Sequence, residues 1–503
     1  MKFLSFIWHD PKNKRYLLGT VAISTCLFAT LKIFYPYPDF FSDSSYYIYS
    51  AANNLDVSIW PIGYSKFLAI VHLFTTSATF TVAVQYLLLQ AATLYLFFTM
   101  LFLFEPSAKF GKAVYLFLIP NLLILYVSNT ISSDALFTAL SIGWFTEILW
   151  ILRRPTWARV VSQAFLLFLC FTVRNNAYYY PLISILAFLL ASRPTLYRLA
   201  GISLPALLIV PFIIHTREAA YRMTGTKEFS FFTGWQLANN ALYVYPSIHV
   251  NPADLITPTS RELNRIYTVA FGQIPPQDLQ HHLDYYVGNF FIREPASPLK
   301  QYFAHNYRYN NEFEYICNWG KASAEYERFG ISIISSHPIA YIKHFVIPNA
   351  WHYLVPPLSH LQEYNYGTSS IDPTAQHWFN FQRPTVTCAS YRFQGILILY
   401  TTLFFLLNLL YLYRWLTTLR KIWIAAQPLR SLHDHLLPLF FLSLNFAFSI
   451  ASTQNILRYQ VFPMIVLFVW SGLLHLYPVN ISVPSRSTMD KSKEISTIPN
   501  PAI

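Results

Sequence analysis

Apolar residues fall in long blocks broken by short polar stretches. A membrane-spanning helix needs roughly 20 mainly apolar residues. Ten blocks meet or approach that length, at about 16–35, 79–104, 113–128, 134–152, 160–173, 177–191, 199–215, 393–413, 436–452 and 459–477. The fifth and sixth are short and divide at Arg174-Asn175-Asn176. Two polar stretches are much longer than the rest, 36–78 and 216–392. The second has the size of a small domain. Inside it, "ISIISSHPIAYIKHFVIPNAWHYLVPP" (331–357) is apolar but interrupted by Pro338 and Pro348, which predicts interfacial helices rather than a spanning pair. The pattern predicts an all-α polytopic membrane protein. Its parts are an N-terminal transmembrane module (1–215) with a first outer loop (36–78), a mainly helical extracytoplasmic domain (216–392), C-terminal transmembrane helices (393–477) and a disordered tail (478–503).

Composition sharpens this picture. Only 12% of the 503 residues are charged and 54% are hydrophobic, whereas soluble domains carry about 25% charged residues. The net charge of +12 comes without a basic patch interleaved with stacking aromatics, so nucleic acid is set aside. Where the cations lie matters more than their sum. Eighteen Lys and Arg residues, from Lys2 to Lys493, fall in one set of short segments, and only Lys66, Arg174 and Arg458 fall in the opposite short loops. By the positive-inside rule both termini are cytoplasmic and the two long stretches face outward. "FYPYPDFF" after the first block offers no small-x-small cleavage site. Of four cysteines, Cys317 and Cys388 share the outer segment, where a disulfide and two free thiols both fit.

Polar residues at membrane depth are costly, so they mark candidate function. Four stand out, all on the outer side. Asp43, in "FSDSSYYIYSAANNL", fits one helical face with Tyr46, Tyr47 and Ser50. It reads either as an N-cap or as a general base at the membrane–water boundary. Asp134 opens the fourth block, where a helix N-terminus favours a carboxylate; it reads as a cap or as a second catalytic carboxylate. Arg174, in "VRNN", and Arg458, in "LRY", break the positive-inside pattern. Each either snorkels outward or grips a phosphate with its planar fork, with Tyr459 as a supporting donor beside Arg458. An acid–base group with phosphate clamps points to transfer from a lipid-linked phosphate donor. No P-loop or dinucleotide-type glycine motif is present. Nor is there an H-E-x-x-H or Cys/His zinc spacing, and adjacent His281 and His282 diverge on any regular element. His337, before Pro338, is a candidate for the mouth of the site.

The order of these elements resembles the GT-C superfamily of membrane glycosyltransferases. It looks closest to the bacterial branch grouped with dolichyl-phosphate-mannose-dependent and ArnT- or Rgt-like transferases. The likeness rests on the first-loop Asp43 with Tyr46 or Tyr47 and Ala51, the Pro61-Ile62-Gly63-Tyr64 turn, Asp134, "VRNN" and "LRY". It covers the topology of 16–215 and the motif at 450–465. Two departures are Asn175 where the family often has proline after the arginine, and no Asp-Asp or Asp-x-Asp pair in the first loop. The resemblance implies an inverting transfer from a polyprenyl-phosphate sugar to a glycan, lipid or protein hydroxyl, on the outer face of a bacterial cytoplasmic membrane. Asp43 is then the base, Arg174, Arg458 and Tyr459 meet the donor phosphate, and Asp134 orients the acceptor or an arginine. No cofactor and no metal are expected, although Asp39, one helical turn before Asp43, can share a cation with it. A lipid-linked saccharide flippase and a surface-polysaccharide ligase or polymerase are the competing readings. A transporter more often has matched halves with broken helices at mid-membrane, and no such repeat is visible in this sequence.

Overall fold

The computed structural model describes residues 2–251, 255–285, 288–424 and 433–475. The tail 478–503, with Arg486, Lys491 and Lys493, and Arg430 lie outside the described residues. The described residues form helices and no strand; two isolated bridge pairs occur, Asp39 with Thr130 and Ser370 with Thr385. The chain is an all-α polytopic membrane protein, with eight helices long and apolar enough to cross a bilayer.

These eight match eight of the ten expected spans. The other two are shorter helices, Trp157–Val173 and Tyr180–Leu190, of 17 and 11 residues. They part at Arg174, whose backbone is extended (φ −151°, ψ 144°), and at the 3₁₀ turn Asn175–Tyr179 that follows. Asn175 holds that turn by accepting the Tyr178 hydroxyl at 2.8 Å. Polar side chains thus interrupt the apolar run where the site begins.

The third span is also split. Ala108–Leu118 stops before Pro120, which has no N–H to continue the ladder and disfavours helix in the residue before it. Asn121 then caps Leu122–Ser128 by accepting the Ile124 N–H at 3.2 Å. Beyond Ser128 the chain is fixed by buried Gln85. Its amide donates to the Ser128 and Thr130 carbonyls at 3.0 Å each, and its oxygen accepts the Tyr64 hydroxyl at 2.6 Å. This delivers Asp134 to the start of Asp134–Arg153.

The segment 216–392 divides in its packing. Residues from Phe231 to Phe345 build a second apolar core around Trp235, Trp319 and Tyr326. Gly234 allows the crossing at its centre, since a Cβ there would overlap the Ser323 carbonyl. Tyr353 to Val386 instead join the core of the bundle. The stretch 331–357 is a set of short helical pieces broken at Pro338, with a π turn at Ile342–Val346. All four cysteines are free; Cys317 is buried in the helix Glu312–Ser336 and Cys388 packs against the bundle core.

Basic side chains gather at the helix ends away from Asp134. Arg153 pairs with Asp434, Arg193 donates to the Pro155 carbonyl, and Arg414 contacts His475. At 1.5 Å per residue, the 20-residue helix Asp134–Arg153 separates this end from the site by about 30 Å.

Candidate active site

The short helix Ser42–Ala52 presents Asp43 in its first turn. Asp43 is not the cap. Ser44 closes the turn by accepting the Phe41 N–H at 2.8 Å, and the Tyr366 hydroxyl accepts the Ser42 N–H at 2.9 Å. The helix is tied to the loop before Asp134 by Ser44, which donates to the Ile131 carbonyl, and by Tyr47 with Ser133 at 3.0 Å. Gly63 lets the following turn press on Thr172, where a Cβ would overlap the backbone. The first loop therefore sits beside Arg174.

Asp43, Asp134, Arg174, Arg458 and Tyr459 meet on one cavity of about 380 Å³. Asp134, 3% exposed, has both oxygens engaged. One accepts Arg174; the other accepts Arg458 at 3.0 Å and Ser132 at 2.8 Å. The expected second catalytic carboxylate is thereby spent holding two guanidiniums, which is the work of a positioning group. Arg458, 5% exposed, lies 3.6 Å from Asp43, beyond hydrogen-bond range. The Tyr459 ring lies between the two cations, with guanidinium carbons 4.4 Å (Arg174) and 5.1 Å (Arg458) from its centroid. Its hydroxyl accepts Arg458 at 3.3 Å. Aromatic faces and one buried carboxylate thus fix two forks beside open space.

Asp43 is the carboxylate left open, with 22% of its side chain exposed. Burial pushes its pKa above the ordinary aspartate value, and Arg458 pulls the other way. Asp39 has a different fate. It accepts the Asn365 N–H at 2.9 Å and the Gln394 amide at 3.3 Å, and burial raises its pKa to about 7. It anchors loops and lines neither cavity. Among the described residues no group of three or more His, Cys, Asp or Glu is placed to hold a metal ion.

A second cavity, of about 550 Å³, lies on the other side of Asp43 and shares Trp60, Phe232, Arg458 and Tyr459 with the first. Its remaining wall carries residues that sequence reasoning did not select: Arg293, Lys300, Tyr315, Trp319, His360 and Tyr366. His337 lines neither cavity; His360 does. Arg293 donates to His360 Nε2 at 2.8 Å. Burial, with Arg458 and Arg293 nearby, drives the His360 pKa down to about 2, so this ring is neutral. Ser359, Asn365 and Tyr366 have left-handed backbone (φ 51°, 46° and 55°), an uncommon conformation for such residues that recurs at functional sites. A tyrosine just before a glycine in a polar loop, "NYG", was the one local signal available.

No family model, curated protein or solved structure matches the chain.

Proposed function

We propose that this chain is an inverting glycosyltransferase that moves a sugar from a polyprenyl-phosphate donor to an acceptor hydroxyl on the extracytoplasmic face. The observation that carries the reading is the placement of Asp43. Among the described residues it is the one carboxylate that lines both large cavities, with Arg174 on the first and Arg458 on both. In this reading the narrower cavity takes the sugar phosphate and the wider one the acceptor. The acceptor hydroxyl gives its proton to the Asp43 carboxylate as its oxygen attacks the anomeric carbon. The bond from that carbon to the phosphate oxygen breaks, and the charge arriving on the leaving phosphate meets Arg174 and Arg458. Attack opposite the leaving group inverts the centre. A phosphate leaving group requires no general acid, which agrees with Asp134 having no oxygen free. In this reading both termini are cytoplasmic and the site lies outside, in a bacterial cytoplasmic membrane; the charge asymmetry along the chain supports that orientation.

The test is label transfer from a panel of radiolabelled polyprenyl-phosphate sugars by the purified protein in detergent with EDTA. Labelled product from one or more donors is expected. Tight polyprenyl-phosphate binding without product from any donor and acceptor pair would favour a lipid-linked saccharide transporter.

A further inference from the structure

The wider cavity has more cation than anion on its walls. Arg293, Lys300 and Arg458 line it, against the single carboxylate of Asp43. Arg458 is already matched by Asp134. Among the described residues Lys300 has no carboxylate paired with it. Its Nζ sits 4.6 Å from the Trp319 centroid and 5.2 Å from that of Trp235, two indoles stacked at 3.8 Å. Burial alone lowers its pKa to about 8. Removing an ammonium from water without a counter-charge is unfavourable, and an arriving anion relieves that cost. Part of the rest of the wall is aromatic, beside Ile59, Ile292 and polar residues such as Asn289. Tyr46 and Tyr315 stack at 5.7 Å and 13°, and Trp60 faces the same space. Such flat faces suit the C–H side of a sugar ring, and the cavity falls in the range of about 300–1,000 Å³ typical of small-molecule sites.

We propose that the wider cavity binds an acidic sugar, a ring carrying a carboxylate or phosphate, with the ring along Tyr46, Tyr315 and Trp60 and the anionic group on Lys300. Its role as the acceptor rests on the transfer reading above; its preference for an acidic ring does not. Lys300 selects the ligand, and Asp43 at the inner end meets one of its hydroxyls.

The test uses the full chain in detergent and follows intrinsic tryptophan fluorescence with methyl β-D-glucuronide and methyl β-D-glucoside. The glucuronide binds about tenfold more tightly, the gain of one hydrogen bond between charged groups. Lys300→Gln erases that preference while glucoside affinity and thermal unfolding stay near the parent's. Lys300→Arg retains the preference, so loss in Lys300→Gln is charge and not misfolding. Equal affinity of the parent for both sugars, or a preference that survives Lys300→Gln, overturns the proposal. Binding of neither sugar by protein that still takes up polyprenyl phosphate overturns it too, and leaves the donor reading standing. Glucuronide preference in protein that binds no polyprenyl phosphate keeps this cavity and removes the donor reading.

Discussion

The helix Asp134–Arg153 carries two buried carboxylates, and their surroundings differ in one respect. Glu147, 5% exposed, accepts Arg159 at 2.8 and 3.0 Å, Tyr95 at 2.7 Å and Ser162 at 2.8 Å. Asp134 accepts Arg174, Arg458 and Ser132. Both are satisfied ion-pair centres on one helix, and all three cations lie on aromatic rings, Arg159 over Trp150 and Arg174 and Arg458 over Tyr459. Glu147 lines neither of the two large cavities, whereas the Asp134 cluster opens into one. A closed cluster supports the packing around it. An open one offers its cations to something that arrives. Burial of charge in a membrane helix therefore marks importance, and adjacent space decides of which kind.

That contrast can be tested from both sides. The largest effect is expected at Asp43. Asp43→Asn lowers transfer by about 10²–10⁴-fold, the usual contribution of a general base, with donor affinity unchanged; transfer rates and polyprenyl-phosphate binding measured on one preparation check this. At the closed cluster the effect falls on stability instead. Glu147→Ala strands Arg159 and costs about 3–5 kcal/mol, seen as earlier thermal unfolding, while the rate per folded molecule holds. Arg458→Ala weakens polyprenyl-phosphate binding by about 10–100-fold, from loss of a charged hydrogen bond worth about 1.5–3 kcal/mol; parent-like binding would make the clamp assignment wrong. The pH profile gives a finer check. Because burial raises the Asp43 pKa and the base acts deprotonated, transfer rises with pH through a midpoint above the ordinary aspartate value. That limb survives His360→Gln, since His360 is neutral throughout. Smallest is Tyr459→Phe, which keeps the ring between the guanidiniums and loses only a 3.3 Å contact; donor affinity drops a fewfold at most.

Much of this was legible in the chain because membrane solvent makes polar residues conspicuous. Eight spans appear where apolar blocks lie, and the two shorter helices part at the Arg174-Asn175-Asn176 interruption that divides them in sequence. Asp43, Asp134, Arg174 and Arg458 stood out for the same reason, Tyr459 only as the neighbour of Arg458, and the fold brings all five onto one cavity. Roles were less legible than places. One carboxylate between two arginines is a fact of three chain segments meeting, so the sequence could read Asp134 as a cap, a catalyst or a group orienting the acceptor or one arginine, but not as the shared partner of two. Asp39 was paired with Asp43 by spacing alone, and the chain turns it toward Asn365 and Gln394 instead. Lys300, Arg293 and His360 sit in a long polar segment, where a charge is ordinary and nothing local sets it apart. The wider cavity needed the second core around Trp235 and Trp319 to exist before its wall was visible.

The central claim is that Asp43, and not the buried Asp134 cluster, takes the proton. The most direct measurement is the single-turnover rate of sugar transfer by the parent and Asp43→Asn, each first shown to be saturated with the same labelled polyprenyl-phosphate sugar. The account predicts rapid transfer by the parent and a stalled, donor-loaded Asp43→Asn complex. Equal rates from the two would contradict it, and would reduce Asp43 to a counter-charge beside Arg458.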